Sequence, residues 1–215
     1  MKQFAVIGCG RFGSSLAKTL YQLGHEVLAI DNNEHAIQEL ADHVTHAVQI
    51  NASDEASLKA LGIRNFDVVI VSIGSDIQSS ILTTLLAKEI GAKFVVAKAH
   101  DELHAKILYK IGADRVVLPE RDMGVRVAHN LVSPNILDYI ELAPDFSVAE
   151  ITPLSGWIGK ELKEINLREK YGVNIMAIKH KSEVNISPNS RYVISADDII
   201  IVVGHNDDMQ KIKRN

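Results

Sequence analysis

Short, unbroken apolar runs alternate with segments of helical period over the first three fifths of the chain. The pattern predicts six strands with helices between them. Strands made of consecutive Val, Ile and Leu residues are typical of a parallel sheet that helices cover on both faces. We therefore predict an α/β fold, a Rossmann-type doubly wound parallel sheet. The predicted strands are 4–7, 26–31, 46–50, 68–73, 93–98 and 115–118, and the later predicted helices are 33–42, 54–61, 77–90, 102–111 and 122–131.

The pattern changes near Ser133-Pro134-Asn135, because the residue before a proline avoids the helical conformation. Beyond this point strands follow one another with few helices between them, which is typical of a small α+β domain with an antiparallel sheet. We predict a nucleotide-binding domain over 1–132, then a linker and smaller domain over 133–215. The second domain is predicted to hold strands at 136–142, 147–151, 174–179 and 199–203, helices at 160–164 and 206–213, and an irregular stretch around Pro188.

A glycine-rich motif follows the first predicted strand, with Gly8, Gly10 and Gly13 in Gly-x-Gly-x-x-Gly spacing. In this motif the glycines allow a tight turn, a close phosphate approach and close helix packing. Asp31 ends the second strand, near the spacing at which an acid accepts hydrogen bonds from an adenosine ribose. A 2′-phosphate would meet like charge there, which disfavours NADP. The motif predicts a nucleotide site without specifying the nucleotide, and the alternative is a glycine-rich turn without a ligand.

Further polar and small residues lie where the predicted parallel strands end, at the edge where ligands of such sheets bind. Arg11 can pair with phosphate oxygens, which favours a nucleoside di- or triphosphate over a dinucleotide. Lys98 can neutralise phosphate, and a glutamate beside a polyphosphate, Glu120, is best explained by a bridging divalent cation. The full set of predicted nucleotide-binding residues is Gly8, Gly10, Arg11, Phe12, Gly13, Asp31, Asn32, Asn51, Ala52, Ser53, Ile73, Gly74, Lys98 and Glu120.

Several of these residues also have purely structural interpretations. Arg11 can be a solvated arginine at a helix start, and Glu120 an acid that complements a helix dipole. Asn51 and Ser53 can contact an adenine edge, yet helix capping explains Ser53 as well. His100 and His104 share a helix face at zinc-ligand spacing, but without a third ligand in register we expect both to be surface histidines.

Composition limits the classes of function that remain. The chain has 215 residues with 47 % hydrophobic and 5 % aromatic residues, and its formal net charge of −4 argues against a nucleic-acid partner. One cysteine, Cys9, excludes an internal disulfide and a multi-cysteine zinc site. With no membrane-spanning run and no signal-peptide pattern, we expect a cytoplasmic protein without direct membrane insertion. We find no catalytic motif and predict that the chain is not an enzyme.

The chain resembles the regulatory subunits of bacterial potassium-uptake systems of the KtrA/TrkA type, which are built on the RCK (regulator of potassium conductance) domain. The resemblance rests on six segments, 3–13, 24–31, 61–66, 110–115, 119–124 and 171–180. It implies an RCK-N domain followed by an RCK-C domain, in homodimers that assemble into an octameric ring. It further implies that the ring docks on the inner face of the membrane and gates a potassium-translocating membrane subunit.

The same resemblance implies roles for individual residues. ATP is expected to favour the active ring and ADP the inactive one, with Arg11 reaching the γ-phosphate. Glu120 is expected to hold an activating cation, Mg²⁺ or Ca²⁺, at a subunit interface. A cyclic di-AMP site in the RCK-C region is implied for four residues, Leu167, Arg168, Ile175 and Pro188.

Two other functions stay open from the sequence alone. A small NAD-dependent oxidoreductase would use the same glycine motif, but it would also need acid and base residues that we do not find. An NADH-sensing regulator of transcription would need a basic helix-turn-helix, which is likewise absent from the pattern. NAD or NADH therefore remains an alternative ligand to ATP and ADP.

Overall fold

The computed structural model describes residues 1–74, 76–131 and 136–213. They divide into two compact units, unit 1 (Met1–Glu120) and unit 2 (Arg121–Asn215). The domain boundary that the sequence predicts at residues 132 and 133 lies outside the described residues.

Unit 1 is built on a six-stranded sheet in which every pair of neighbours is parallel. Its strand order is β3-β2-β1-β4-β5-β6, so the chain reverses its direction of travel across the sheet between β1 and β4. This is the doubly wound topology that the sequence predicts, and ligands of such sheets bind at that reversal. The strands are β1 (Gln3–Ile7), β2 (Glu26–Asp31), β3 (His46–Gln49), β4 (Val68–Val71), β5 (Val95–Lys98) and β6 (Arg115–Val117).

Helices cover both faces of this sheet. In β1, Ala5 and Ile7 belong to the apolar core on one face, whereas Val6 belongs to the core on the other. Asn33 and Asp54 cap two of the helices, because their side chains accept hydrogen bonds from first-turn backbone N–H groups. The helices of unit 1 are α1 (Arg11–Gln22), α2 (Glu34–Leu40), α3 (Glu55–Ala60), α4 (Ile77–Glu89) and α5 (Glu102–Lys110), with short 3-10 helices at Ala41–His43 and Ile63–Asn65, and a further helix, α6 (Pro119–Leu131), begins at the end of this unit.

Helix α6 starts earlier than the sequence pattern suggests. The prediction placed its first residue at 122, but the helix begins at Pro119. A proline suits the first helical position because its φ angle is already fixed near the helical value and it has no N–H to leave unpaired. This start brings Glu120 into the first turn.

Unit 2 contains a five-stranded antiparallel sheet with the order β10-β9-β11-β8-β7. Along β11 the residues alternate between buried and half-buried, and Ile200 and Val202 lie in the core with Trp157 and Met209. The strands are β7 (Ile136–Ala143), β8 (Phe146–Ile151), β9 (Asn174–His180), β10 (Glu183–Asn185) and β11 (Asp198–His205), and the helices are α7 (Leu162–Ile165), α8 (Leu167–Tyr171) and α9 (Asn206–Lys213).

Two elements of unit 2 were not predicted. Strand β10 has three residues, all exposed, so it carries no alternation of apolar and polar positions. Helix α8 is separated from α7 by Asn166, whose φ of 48° lies in the left-handed region that asparagine tolerates better than most residues. Among the described residues, no helix is long and apolar enough to cross a membrane.

Candidate functional site

The glycine motif forms the turn between β1 and α1, and its three glycines meet different constraints. Gly8 has a φ of +94°, and a Cβ there would lie 2.8 Å from the backbone nitrogen of Ile73. A Cβ on Gly13 would overlap the carbonyl oxygen of Gly8. A Cβ on Gly10 would meet nothing within 4 Å, so the loop is open at that position. The first and third glycines are therefore required by the fold, while the second leaves space for an approaching ligand.

Ser72, which directly follows β4, stabilises this turn and is not among the predicted site residues. Its buried hydroxyl donates to the carbonyl oxygen of Gly8 at 2.6 Å, and its backbone nitrogen donates to Ile7 at 2.7 Å. A serine directly after the apolar strand β4 is the sequence signal, since a buried hydroxyl needs a partner. Ser72 fixes the carbonyl side of the turn, while the backbone nitrogens of Gly8 and Cys9 donate to Ile30 and Asp31 at the end of β2.

The start of α1 offers backbone donors at the open side of the loop. Gly10 is the N-cap residue and has no side chain to cap the helix, and the first bond within the helix runs from the Ser14 nitrogen to the Gly10 oxygen at 2.8 Å. Helix geometry leaves the N–H groups of Arg11, Phe12 and Gly13 without an intrahelical acceptor. Such N–H groups attract anions. Arg11 is exposed and adds a full positive charge at this point.

Asp31 connects the second strand to the glycine loop. One carboxylate oxygen accepts a hydrogen bond from the backbone nitrogen of Cys9, and the other accepts one from Asn33 at 2.8 Å. The carboxylate is thereby fixed beside the loop, half-buried at the end of β2. Asn32 is exposed, and its carbonyl oxygen accepts a hydrogen bond from the Gln49 side chain at 3.1 Å.

The loop after β3 is folded by its own side chains. The Asn51 side-chain oxygen accepts a hydrogen bond from Ser53 at 3.0 Å, and the carbonyl of buried Ala52 accepts one from Thr83 at 3.3 Å. Asp54 rather than Ser53 caps α3. Contacts of Asn51, Ala52 and Ser53 with a base stay a prediction.

Four of the predicted nucleotide-binding residues lie close together near the carboxyl end of β5, and they are Phe12, Gly74, Lys98 and Glu120. The Lys98 ammonium group lies 2.6 Å from a carboxylate oxygen of Glu120 and 5.9 Å from the centre of the Phe12 ring. A Cβ added to Gly74 would lie 3.4 Å from the Lys98 Nζ atom. The Lys98 side chain is 13 % exposed and that of Glu120 is 69 % exposed, so the lysine is held and the glutamate faces solvent. Half-buried Ile73 precedes Gly74.

The Lys98 hydrogen bond lowers the pKa of Glu120, so this carboxyl is ionised at neutral pH. Lys98 is thus the countercharge of Glu120. Among residues 1–74, 76–131 and 136–213 no group of three or more His, Cys, Asp or Glu side chains could hold a metal ion. A cation at Glu120 would need further oxygen ligands, and nucleotide phosphates are suitable donors.

The expectation of two surface histidines is wrong for His104. His100 is exposed, but His104 is buried, and its Nδ1 accepts a hydrogen bond from the His100 backbone nitrogen at 3.2 Å. Burial lowers the pKa of His104, so this ring is neutral at physiological pH. A face of α5 packs into the apolar core of unit 1, and that packing decided the burial of His104.

Unit 2 has a cavity of about 430 Å³ beside α7, α8 and β9. Leu167, Arg168, Ile175 and Pro188, which the sequence analysis assigned to one region, all line it. The other lining residues were not predicted, and they are Leu162, Lys163, Asn166, Val173, Asn174, Met176, Ile186, Ser187 and Ser190. Two cationic side chains, two amides and several apolar side chains therefore surround one space, a composition suited to a ligand with both flat apolar and anionic parts.

Family models match both units. The model described as the TrkA-N domain matches residues 4–119, and the model described as the TrkA-C domain matches residues 147–215. The chain is 49 % identical over 213 residues to the Ktr system potassium uptake protein C of Bacillus subtilis, covering 99 % of this chain and 96 % of that protein. It is 46 % identical over 212 residues to the Ktr system potassium uptake protein A of the same organism, with the same two coverages.

One solved structure has the same fold over nearly the whole chain. It is the RCK domain of GsuK, with a TM-score of 0.69 at 16 % sequence identity. The match covers 99 % of this chain and 47 % of that chain, so this chain spans about half of the longer protein.

Proposed function

The chain belongs to the TrkA-N/TrkA-C family of RCK proteins that includes the regulatory Ktr system potassium uptake proteins, and we propose that it senses ATP and ADP through the glycine loop of unit 1. The observation that carries this proposal is the loop itself, rigid at Gly8 and Gly13 and open at Gly10 beside Arg11. The open backbone N–H groups receive phosphate. NAD or NADH would use the same loop but would not present a free terminal phosphate to Arg11.

Arg11 and Asp31 have different tasks in this proposal. Asp31 already lies beside the loop. There its carboxylate would accept hydrogen bonds from the ribose hydroxyls that ATP and ADP share. Arg11 contacts the terminal phosphate, in the same subunit or in a neighbouring one. The site thereby separates recognition of the nucleoside from recognition of phosphate number.

Glu120 and Lys98 would rearrange when a polyphosphate binds. In the structure, Lys98 pairs with Glu120 at 2.6 Å. A phosphate group competes for the ammonium group, and a divalent cation, Mg²⁺ or Ca²⁺, then neutralises the released Glu120 carboxylate with phosphate oxygens as further ligands. ATP offers more such oxygens than ADP, so the cation is retained with ATP.

We further propose that homodimers of this chain form an octameric ring on the cytoplasmic side of the membrane, docked to a potassium-translocating membrane subunit. Family membership supports this assembly. Ring shape would follow the bound nucleotide, because a ligand shifts an equilibrium by its difference in affinity for the two shapes. No catalytic step is part of this function.

The cavity of unit 2 is proposed as a second nucleotide site, for cyclic di-AMP. Arg168 and Lys163 supply positive charge for its phosphodiester groups. Ile175, Met176 and Pro188 supply apolar surface for an adenine ring.

The test of the first site is calorimetric titration of ATP and ADP into wild type and Arg11→Ala. Losing a charge-assisted contact to the terminal phosphate costs ~1.5–3 kcal/mol, so we expect ATP to bind about ten- to a hundredfold more weakly, with a smaller loss for ADP. Arg64→Ala, an exposed arginine at the opposite edge of the sheet, is the matched control. Equal losses for ATP and ADP in Arg11→Ala would refute the assignment.

A further inference from the structure

A buried carboxylate in unit 2 is contacted by three polar groups, one on β9 and two in the segment before β11. Asp198, the first residue of β11, is 1 % exposed. One carboxylate oxygen lies 2.7 Å from His180 Nδ1 on β9, and the other accepts from the Ser195 backbone nitrogen at 2.9 Å. The Tyr192 hydroxyl lies 3.2 and 3.1 Å from the two oxygens. We name Asp198, His180, Tyr192 and Ser195 the Asp198 cluster.

The Asp198 cluster is connected to the cavity wall through the backbone around Tyr192. The carbonyl oxygen of Tyr192 accepts from the Leu162 nitrogen at 3.0 Å, and that of Ser190 accepts from the Lys163 nitrogen at 2.9 Å. Leu162, Lys163 and Ser190 all line the cavity, together with Pro188. The segment 187–192 therefore lies between the Asp198 carboxylate and the start of α7, and its position sets one wall of the cavity.

The buried charge on Asp198 explains why these contacts converge on it. A buried carboxylate is costly unless donors or a positive charge compensate it. The Tyr192 hydroxyl and the Ser195 backbone nitrogen, both in the segment before β11, donate to Asp198, and His180 on β9 lies against it. Moving the segment that holds Tyr192 would therefore leave the buried carboxylate with fewer donors.

We propose that Asp198 and Tyr192 are positioning residues of the unit 2 cavity, which hold segment 187–192 against α7. The Tyr192 hydroxyl fixes the segment to the buried Asp198 carboxylate, and the backbone carbonyl oxygens of Tyr192 and Ser190 accept hydrogen bonds from the first residues of α7. The effect on ligand affinity rests on the proposed function of the cavity, whereas the hold on the wall does not.

The experiment measures backbone amide exchange at Leu162 and Lys163 in the full chain, corrected for the intrinsic exchange rate. Losing one hydrogen bond to a charged group lowers protection by about tenfold or more, which is the result expected for Tyr192→Phe. Tyr171→Phe is the control, since Tyr171 packs edge-on against Trp157 in the same unit and does not line the cavity. Asp198→Asn, which removes the buried charge, should lower the same protection, whereas Tyr171→Phe should leave it unchanged.

Unchanged protection in Tyr192→Phe would overturn the inference. Calorimetric titration of cyclic di-AMP into the same variants separates it from the proposed function. If the cavity binds this ligand, its affinity should decrease in Tyr192→Phe but not in Tyr171→Phe. Expected protection changes without any cyclic di-AMP binding would support the positioning role and refute the ligand.

Discussion

The two candidate sites are built in opposite ways. The site in unit 1 is mostly backbone: a turn fixed by Gly8 and Gly13, the N–H groups that start α1, and a few side chains at strand ends. The cavity in unit 2 is mostly side chains, drawn from α7, α8, β9 and segment 186–190. A backbone site requires a particular spacing of glycines, whereas a side-chain cavity requires several separate segments of the chain to pack against one another. We expect the first to tolerate change only where the loop is open, and the second to depend also on residues outside its lining, such as Asp198.

Electrostatics separate the two units as well. In unit 1 two charged residues of the site, Arg11 and Glu120, are exposed, and Glu120 has a nearby countercharge in Lys98. In unit 2 a buried carboxylate, Asp198, lies behind the cavity wall. We therefore expect bound ions to control the first site, and a buried charge outside the lining to position the wall of the second.

The largest effect that sharpens this comparison is expected at Gly13. In Gly13→Ala the new methyl group overlaps the Gly8 carbonyl and meets the Ser72 hydroxyl, so we expect unit 1 to lose about 3 kcal/mol of stability. Gly10→Ala is the matched variant, since its methyl group meets no protein atom and only a phosphate would contact it. Urea unfolding should show a lower midpoint for Gly13→Ala and a nearly unchanged one for Gly10→Ala, which should instead bind ATP more weakly. Equal midpoints for the two variants would contradict a loop determined by backbone packing.

A smaller effect is expected when the buried charge of unit 2 is removed. Asp198→Asn weakens bonds that a charged acceptor makes, at a cost of about 1.5–3 kcal/mol. Burial raises the pKa of Tyr192, and the hydrogen bond and charge of Asp198 raise it further, so this pKa should move down towards the ordinary value of 10.0 in the variant. Because folding raises this pKa, the associated stabilisation is complete below pH 10.0 and is lost as the pH rises past the folded value.

Ultraviolet titration of tyrosine ionisation in wild type, Asp198→Asn and Tyr192→Phe measures this shift. The Tyr192→Phe curve identifies which of the transitions belongs to Tyr192. If Asp198→Asn left that transition in place, Asp198 would not be the charge that the hydroxyl senses.

The contrast between a backbone site and a side-chain cavity also explains which parts of each site could be predicted from the sequence. The turn from β1 to α1 and the position of Asp31 were predicted because contiguous residues determine them. Ser72 and the burial of His104 were not, since both depend on how distant segments pack. In unit 2 the resemblance supplied Leu167, Arg168, Ile175 and Pro188, but Tyr192 and Asp198 have no local signature. Short exposed β10 likewise has no pattern of its own, because pairing with β9 creates it.

The smallest effect is expected at Cys9, which lies inside the glycine loop with its side chain turned away from the open side. Burial, with the nearby Asp31 charge, raises the pKa of its thiol to about 12. The thiol therefore stays protonated at neutral pH, and alkylation of the folded protein should be very slow compared with the unfolded chain. Cys9→Ala should change ATP affinity by less than about twofold, since no part of the proposed site uses the sulfur. If alkylation were rapid and ATP blocked it, the thiol would lie in the site. That result would contradict the description of the unit 1 site as mostly backbone.

The central claim is that this chain carries two nucleotide sites of different construction, one in each unit. Its most direct test is calorimetric titration of ATP and of cyclic di-AMP into wild type, Arg11→Ala and Arg168→Ala. We predict that Arg11→Ala weakens ATP binding about ten- to a hundredfold and leaves cyclic di-AMP binding within about twofold, and that Arg168→Ala does the reverse. Loss of both ligands in either variant, or ATP affinity unchanged by Arg11→Ala, would contradict the account.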